Sequence, residues 1–422
     1  MTYIEFFDKT AVENVCACLT YAPERVIYIG DNEDLMNAHI ANYTKVFSDR
    51  KQDIAFSCRT TSKSNLANAV KLLTELVQTY EDCVFGITGG DELLMLALGI
   101  VYQQNPDKNI QIHRINVRNG TVSDCDKDGN TIYCHEPQLT IKENIRIYGG
   151  DVMYCDVNGD ETYQWDLSEE FLADFALIWA RCKINVRYWN KQIGYFEAMK
   201  EIIKESGKER AEELTLTVKR TVLEAYLARN KVKFKPARGI IQYLTDNNLL
   251  TNYDDSDEKT VTVSFKNPQV MRCLTKAGNA LELKIFIAAK NVKDKNSPVY
   301  DDALNGVLID WDGKPHDEET ENIYDTENEV DVFLMHGIVP VFISCKNGVV
   351  HTEELYKLET VAQRFGSKYA KKVLIATSIP TEGEAGAFFR QRAKDMRIKL
   401  IEGVQHMTDA ELEKKLKNLW KN

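Results

Sequence analysis

The first 116 residues repeat one unit, and that repetition restricts the fold more than anything else in the chain. Strand-length apolar or β-branched runs at 3–7, 26–29, 54–58, 83–87 and 110–115 alternate with helical stretches at 11–20, 33–47, 64–79 and 91–104. Leu66, Ala69, Val70, Leu73 and Leu76 illustrate the helical spacing, forming one stripe with a period near 3.6. Strands alternating with helices pair in parallel through right-handed crossovers, so the sequence predicts a doubly wound sheet. Ligands on such sheets sit beyond the carboxyl ends of the strands. This singles out the loops Asp8-Lys9-Thr10, Gly30-Asp31-Asn32, Arg59 to Ser62, and Thr88-Gly89-Gly90-Asp91. In the last, a hydroxyl and two glycines precede a helix N-terminus, leaving bare N–H groups and a positive dipole end for an anion. None of these loops carries a Walker A or GxGxxG pattern, so a nucleoside triphosphate or dinucleotide cofactor is not expected.

With 422 residues the chain exceeds the size of one growing core, and two or three domains are expected. Residues 116–151 turn to hairpin signals, closing the first domain. Helical periodicity then runs from Ser168 to about residue 230, including a charged helix over 207–229. A helix at 237–247, a polar loop at 252–258, a strand at 260–265 and a long helix over 268–289 come next. That order fits either a piece of a winged helix or the opening of the last domain.

Partners and compartment are restricted by charge and cysteine usage. A net charge of -11 excludes a protein that binds nucleic acid with its whole surface, leaving the local basic stretches 231–238 and 390–399. Ten cysteines without a CxxC pair make neither a zinc site by spacing nor a disulfide framework, which suits a reducing compartment. No apolar run approaches about 18 residues, and the N-terminus lacks the features of a secretory signal. The expectation is a cytoplasmic protein without a membrane partner.

The chemistry concentrates at 328–348, NEVDVFLMHGIVPVFISCKNG, read as two short strands joined by a turn at His336-Gly337. Asp331 opens one strand and Lys346 closes the other. A carboxylate able to hold a divalent metal, beside a lysine able to polarise water or phosphate, suits phosphodiester hydrolysis. Glu282 sits amid Leu281, Ile285, Ala288 and Ala289 on the preceding helix. His336 and His351 read as structural.

The order of helix with Glu282, strand, Asp331, strand ending Ser344-Cys345-Lys346, helix and strand resembles the PD-(D/E)xK restriction-endonuclease-like superfamily. The resemblance implies that Asp331 and Glu282 hold Mn²⁺ or Mg²⁺ and that Lys346 activates the attacking water. Ser344 stands where the motif has Asp or Glu. Its place in the metal shell then falls to Glu282, Asp310, the Cys345 carbonyl or Glu354.

At the other end, VIYIGDNED at the second strand and GITGGDELLMLALG at the fourth are similar to CARF domains, the Rossmann-like sensors of cyclic oligoadenylate in type III CRISPR defence. The combination looks like a CRISPR ancillary nuclease activated by cyclic tetra-adenylate. It implies an α/β protein with a Rossmann-like sensor over 1–155, a helical connection over 156–235 and a restriction-endonuclease-like mixed α/β domain over 236–422. A homodimer would bind the activator through Asp8, Lys9, Thr10, Gly30, Asp31, Thr88, Gly89, Gly90 and Asp91, and cleave DNA or RNA, single-stranded or nicked. Two other readings remain at this stage. One is a ligand-responsive DNA-binding regulator without nuclease activity; the other is a first domain that itself hydrolyses the activator near Lys9 or Thr10.

Overall fold

A computed structural model of the chain describes residues 1–422 apart from 63, 88, 127–128, 154–161, 208–212, 231–236, 315–326, 349, 380–382 and 422. In the N-terminal half, β1 (Thr2–Phe6), β2 (Arg25–Gly30), β3 (Ala55–Thr60), β4 (Asp82–Gly86) and β5 (Asn109–Asn116) pair in parallel. Antiparallel β6 (Thr121–Cys125) and β7 (Thr131–His135) extend the sheet to the order β3-β2-β1-β4-β5-β6-β7. The crossovers are α1 (Ala11–Tyr21), α2 (Glu33–Asp49), α3 (Leu66–Thr79) and α4 (Glu92–Gln104). The period-2 alternation sorts the strand residues by face. Ile4, Phe6, Ile27, Ile29 and Phe85 pack with α3 and α4, while Tyr3 and Tyr28 pack with α1 and α2. Helices therefore cover both faces, as the alternation predicts.

The chain continues through α5 (Ile141–Ile147), β8 (Asp151–Val152), α6 (Glu169–Cys182), α7 (Val186–Glu205), β9 (Thr215–Lys219) and α8 (Arg220–Arg229). Next come α9 (Arg238–Asp246), β10 (Leu250–Asp254), β11 (Thr260–Phe265), α10 (Pro268–Thr275), α11 (Asn279–Asn291), and the short pair β12 (Lys293–Asp294) and β13 (Ser297–Pro298). The last stretch holds β14 (Asp302–Asp310), β15 (Glu327–His336), β16 (Val339–Lys346), α12 (Glu353–Gly366), β17 (Lys371–Ala376), α13 (Gly383–Asp395), β18 (Ile398–Glu402) and α14 (Asp409–Leu416). A mixed sheet of order β18-β17-β16-β15-β14-β8 forms its centre.

Two expected helices differ from what forms. Part of the 207–229 helix is instead β9, which pairs antiparallel with β11. The alternation in TLTVK decides this: Leu216 and Val218 are buried, while the Thr215 and Thr217 hydroxyls meet those of Ser264 and Thr262 at 2.8 and 3.0 Å. The single helix over 268–289 breaks into α10 and α11, because Gly278 takes φ +96, outside helical geometry. Also unexpected is α5, which a capping box between Thr140 and Glu143 starts.

The two halves share a core. One buried cluster runs from Tyr3, Val15 and Tyr43 through Ile145 to Phe333, Phe342, Phe365 and Phe389. Polar contacts seal its edge: the Asn144 side chain donates to the Phe365 carbonyl at 2.7 Å, and the Ile141 amide donates to Asp302 at 2.8 Å. On α1, buried Glu13 receives the Tyr369 hydroxyl and an ion pair from Lys368 at 3.0 Å. Burial holds Glu13 above the usual carboxylate range despite these two partners.

Candidate active site

The carboxyl-terminal end of β16 and the adjacent part of β15 bring four of the sequence-predicted residues together. Antiparallel pairing of Val332 with Ile343 sets Asp331 across from Ser344. The Asp331 carboxylate accepts the Cys345 amide at 2.6 Å and the Ser344 hydroxyl at 3.2 Å, and stands 3.6 Å from the Lys346 ammonium. Lys346 is shared with Glu354, at 3.2 Å, in the first turn of α12. Glu282 arrives from the other side, in the first turn of α11, where the helix dipole favours a carboxylate.

Glu329 is the residue that sequence reasoning missed. One oxygen each from Glu282, Glu329 and Asp331 lie within 4.8 Å of one another, which would suit a divalent cation. Glu329 also pairs with Lys276, at 2.5 Å, from the break between α10 and α11. Two left-handed glycines line this cluster. A Cβ at Gly278 (φ +96) would stand 3.3 Å from Glu282 Oε1, and one at Gly306 (φ +59) 3.5 Å from Glu329 Oε1.

The electrostatics favour a cation among the three carboxylates. Glu282 is 7% exposed, and its Oε2 has no hydrogen-bond partner among the described residues. Burial, then the neighbouring Asp331, push its carboxyl up to about 8. Burial likewise lifts Asp331 above its ordinary range, against the pull of Lys346 and the Cys345 amide. Burial would lower Lys346, but Asp331 and Glu354 outweigh it and keep the ammonium charged. A buried carboxylate with an idle oxygen beside two more carboxylates is a donor set that Mg²⁺ or Mn²⁺ suits.

Other expected members take different parts. Ser344 contributes a hydrogen bond to Asp331 rather than a charge. Asp310 is committed to a turn, accepting the amides of Asp312 and Gly313 at 3.0 and 3.1 Å. The Cys345 thiol is buried, and burial pushes it well above the ordinary thiol range, so it is no nucleophile.

In the N-terminal half, the loops after β1 and β4 meet. A Cβ at Gly89 would lie 2.1 Å from the Phe6 carbonyl oxygen and 3.2 Å from Asp8 Cβ. Asn14 staples the first loop to α1: its side chain accepts the Asp8 amide at 2.9 Å and donates to the Asp8 carbonyl at 2.7 Å. Asp8 in turn accepts the Thr10 amide at 2.7 Å. Thr10 is buried and Lys9 exposed. Asp91 caps α4 through the Leu94 amide at 3.0 Å. Asp31, following Gly30, instead lines a neighbouring polar cleft of ≈ 830 Å³ with Thr60, Thr61, Ser62, Asn68 and Lys71. Thr88 lies outside the described residues.

Together these features define a class: a Rossmann-like doubly wound α/β fold joined through a common core to a second, mixed α/β fold with an acid and lysine cluster. No protein-family profile matches the sequence, and no curated protein matches it. Solved structures do. Protein VC1899 from Vibrio cholerae superposes with a TM-score of 0.70 at 17% identity, covering 100% of this chain and 98% of that one. Can2 from Sulfobacillus thermosulfidooxidans, solved in complex with cyclic tetra-adenylate, gives 0.63 at 14%, covering 100% and 97%. The chain thus shares, from end to end, the fold of VC1899 and Can2.

Proposed function

We propose that this chain is a metal-dependent nuclease switched on by a cyclic oligoadenylate. The observation that carries the reading is the cluster of Glu282, Glu329 and Asp331 beside Lys346, set in a fold shared over its full length with Can2, whose structure contains cyclic tetra-adenylate. Mg²⁺ or Mn²⁺ held by the carboxylates would supply Lewis acidity toward the scissile phosphate. Lys346, anchored by Asp331 and Glu354, positions the attacking water or steadies the developing charge. Sensor, connection and nuclease correspond to 1–155, 156–235 and 236–422.

Activator binding falls to the loops around Asp8, Lys9, Thr10, Gly30, Asp31 and Thr88 to Asp91, at the carboxyl ends of neighbouring strands. A two-fold homodimer matches a symmetric ring. Single-stranded or nicked DNA or RNA is the substrate, and the cytoplasm the place of action; no described helix is long and apolar enough to cross a membrane. The activator works only if it binds the cleaving state more tightly than the resting one.

The regulator reading is disfavoured. The elements α7, β9, α8, α9, β10 and β11, with sheet order β10-β11-β9, follow the order of a winged helix, but they take in only the first part of the 237–290 segment read that way from the sequence. Its hairpin tip, however, carries exposed Asp254, Asp255, Asp257 and Glu258, which repel a phosphate backbone. The test is incubation with cyclic tetra-adenylate, Mn²⁺ and labelled single-stranded, nicked and duplex DNA and RNA. Activator-dependent cleavage that Lys346→Ala abolishes is the expected result. No cleavage, or equal cleavage by the variant, overturns the proposal.

A further inference from the structure

We infer that the carboxylate missing at Ser344 has moved to the neighbouring strand, and that Glu329 is the metal ligand that replaces it. The inference rests on the nuclease reading above and concerns how this chain's metal shell is built.

A serine hydroxyl brings no charge to a Mg²⁺ or Mn²⁺ shell, which favours carboxylate oxygens. The Ser344 hydroxyl reaches Asp331 Oδ2 at 3.2 Å, so an acid at 344 would stand directly beside Asp331. Glu329 arrives next to the same carboxylate from two residues earlier on β15, with an oxygen within 4.8 Å of both Asp331 and Glu282. Glu282 is the independent sign that a cation belongs there: 7% exposed, close to the other two acids, and with Oε2 unpartnered among the described residues.

Local backbone makes room for the exchange. Gly306 leaves the strand conformation at φ +59, which residues with a side chain rarely adopt, where β14 passes Glu329, and the strand there lies against Oε1, 3.5 Å from where a Cβ would stand. Lys276, 2.5 Å from Glu329 Oε1, balances that acid in the metal-free state. Glu329 is exposed, whereas Glu282 is buried and Asp331 half-buried, so it stands on the solvent side of the cluster.

The experiment is titration of the full-length protein with Mn²⁺, followed by calorimetry and by the loss of the free-ion paramagnetic resonance signal. It compares wild type, Glu329→Gln, Glu329→Asp and the double variant Glu329→Gln/Ser344→Glu, with thermal melts to verify folding. Glu329→Gln is expected to weaken binding about 10- to 100-fold, at least the loss typical of supporting residues around a metal. Glu329→Asp, which keeps the charge, binds more tightly than Glu329→Gln. The double variant, with the acid returned to β16, regains affinity. Unchanged Mn²⁺ affinity in folded Glu329→Gln overturns the assignment, and a double variant as weak as Glu329→Gln overturns the exchange of positions. A wild type that binds no Mn²⁺ overturns the metal-dependent reading as well.

Discussion

Glu282→Gln should make the metal-free protein more stable while abolishing its catalysis. Glu282 is buried with an idle oxygen, and its carboxyl is pushed from 4.5 up to about 8. A carboxyl raised in the folded state weakens folding as pH rises: the fold has its full stability below about 4.5 and loses it progressively until pH reaches about 8. Each pKa unit corresponds to about 1.4 kcal/mol, so the cost above pH 8 is at most about 5 kcal/mol. Glutamine removes that charge but buries an amide that also needs partners. A net gain of about 2 kcal/mol at pH 8.5 in EDTA, reversing to a loss of about 2 kcal/mol at pH 5 where the amide cost is left uncompensated, is the expectation. Denaturant unfolding at pH 5, 7 and 8.5 measures it. Mn²⁺ should stabilise wild type at pH 8.5 and leave the variant nearly unchanged. If Glu282→Gln is no more stable than wild type at pH 8.5 in EDTA, the crowding of the three carboxylates is not what these distances imply.

Three other outcomes follow from the geometry. Lys346→Met should lower single-turnover cleavage by about 10²-fold or more while Mn²⁺ binding persists; cleavage near the wild-type rate would remove Lys346 from the chemistry. Gly90→Ala places a Cβ 2.6 Å from that of Phe6 at φ +88, and should cost about 1–2 kcal/mol in thermal unfolding and weaken activator binding. Glu13→Gln discharges the contact with Lys368, and should leave activator affinity within about threefold, a change under 1 kcal/mol, while reducing activator-stimulated cleavage. Parallel calorimetry and cleavage assays separate the two, and undiminished stimulation would show that α1 does not carry the signal.

The doubly wound sheet was legible because both of its periods are strong, and Asp331 and Lys346 because a hairpin turn brackets them. Glu329 was not. It ends the acidic run from Asp317, and a charge run has no periodicity to show which member turns inward. Only the pairing of β15 with β14 and β16 selects it. The break at Gly278 was hidden because an isolated glycine is tolerated inside helices, so the apolar stripe reads across it. By contrast α5 left a usable signal in Thr140 to Glu143, a capping box ahead of apolar residues. Glu5 gave none. It is a buried acid in the middle of β1, with both oxygens unpartnered among the described residues and its carboxyl raised well above the usual range, chiefly by burial. A single carboxylate in an apolar run looks the same whether it faces solvent or a neighbour's Gly86.

The core common to the two halves has a consequence for synthesis. The cluster that contains Tyr3 also contains Ile398, so the core shared by the N-terminal half cannot be completed until nearly the whole polypeptide has been made. At roughly 5–20 residues per second, the nascent N-terminal half waits on the order of 10 to 50 s for the rest of that core. Contacts such as those of Glu13 with Tyr369 and Lys368 form only after that interval, so part of α1 waits for its partners. An N-terminal half expressed alone would lack those partners permanently and should be recovered as aggregate.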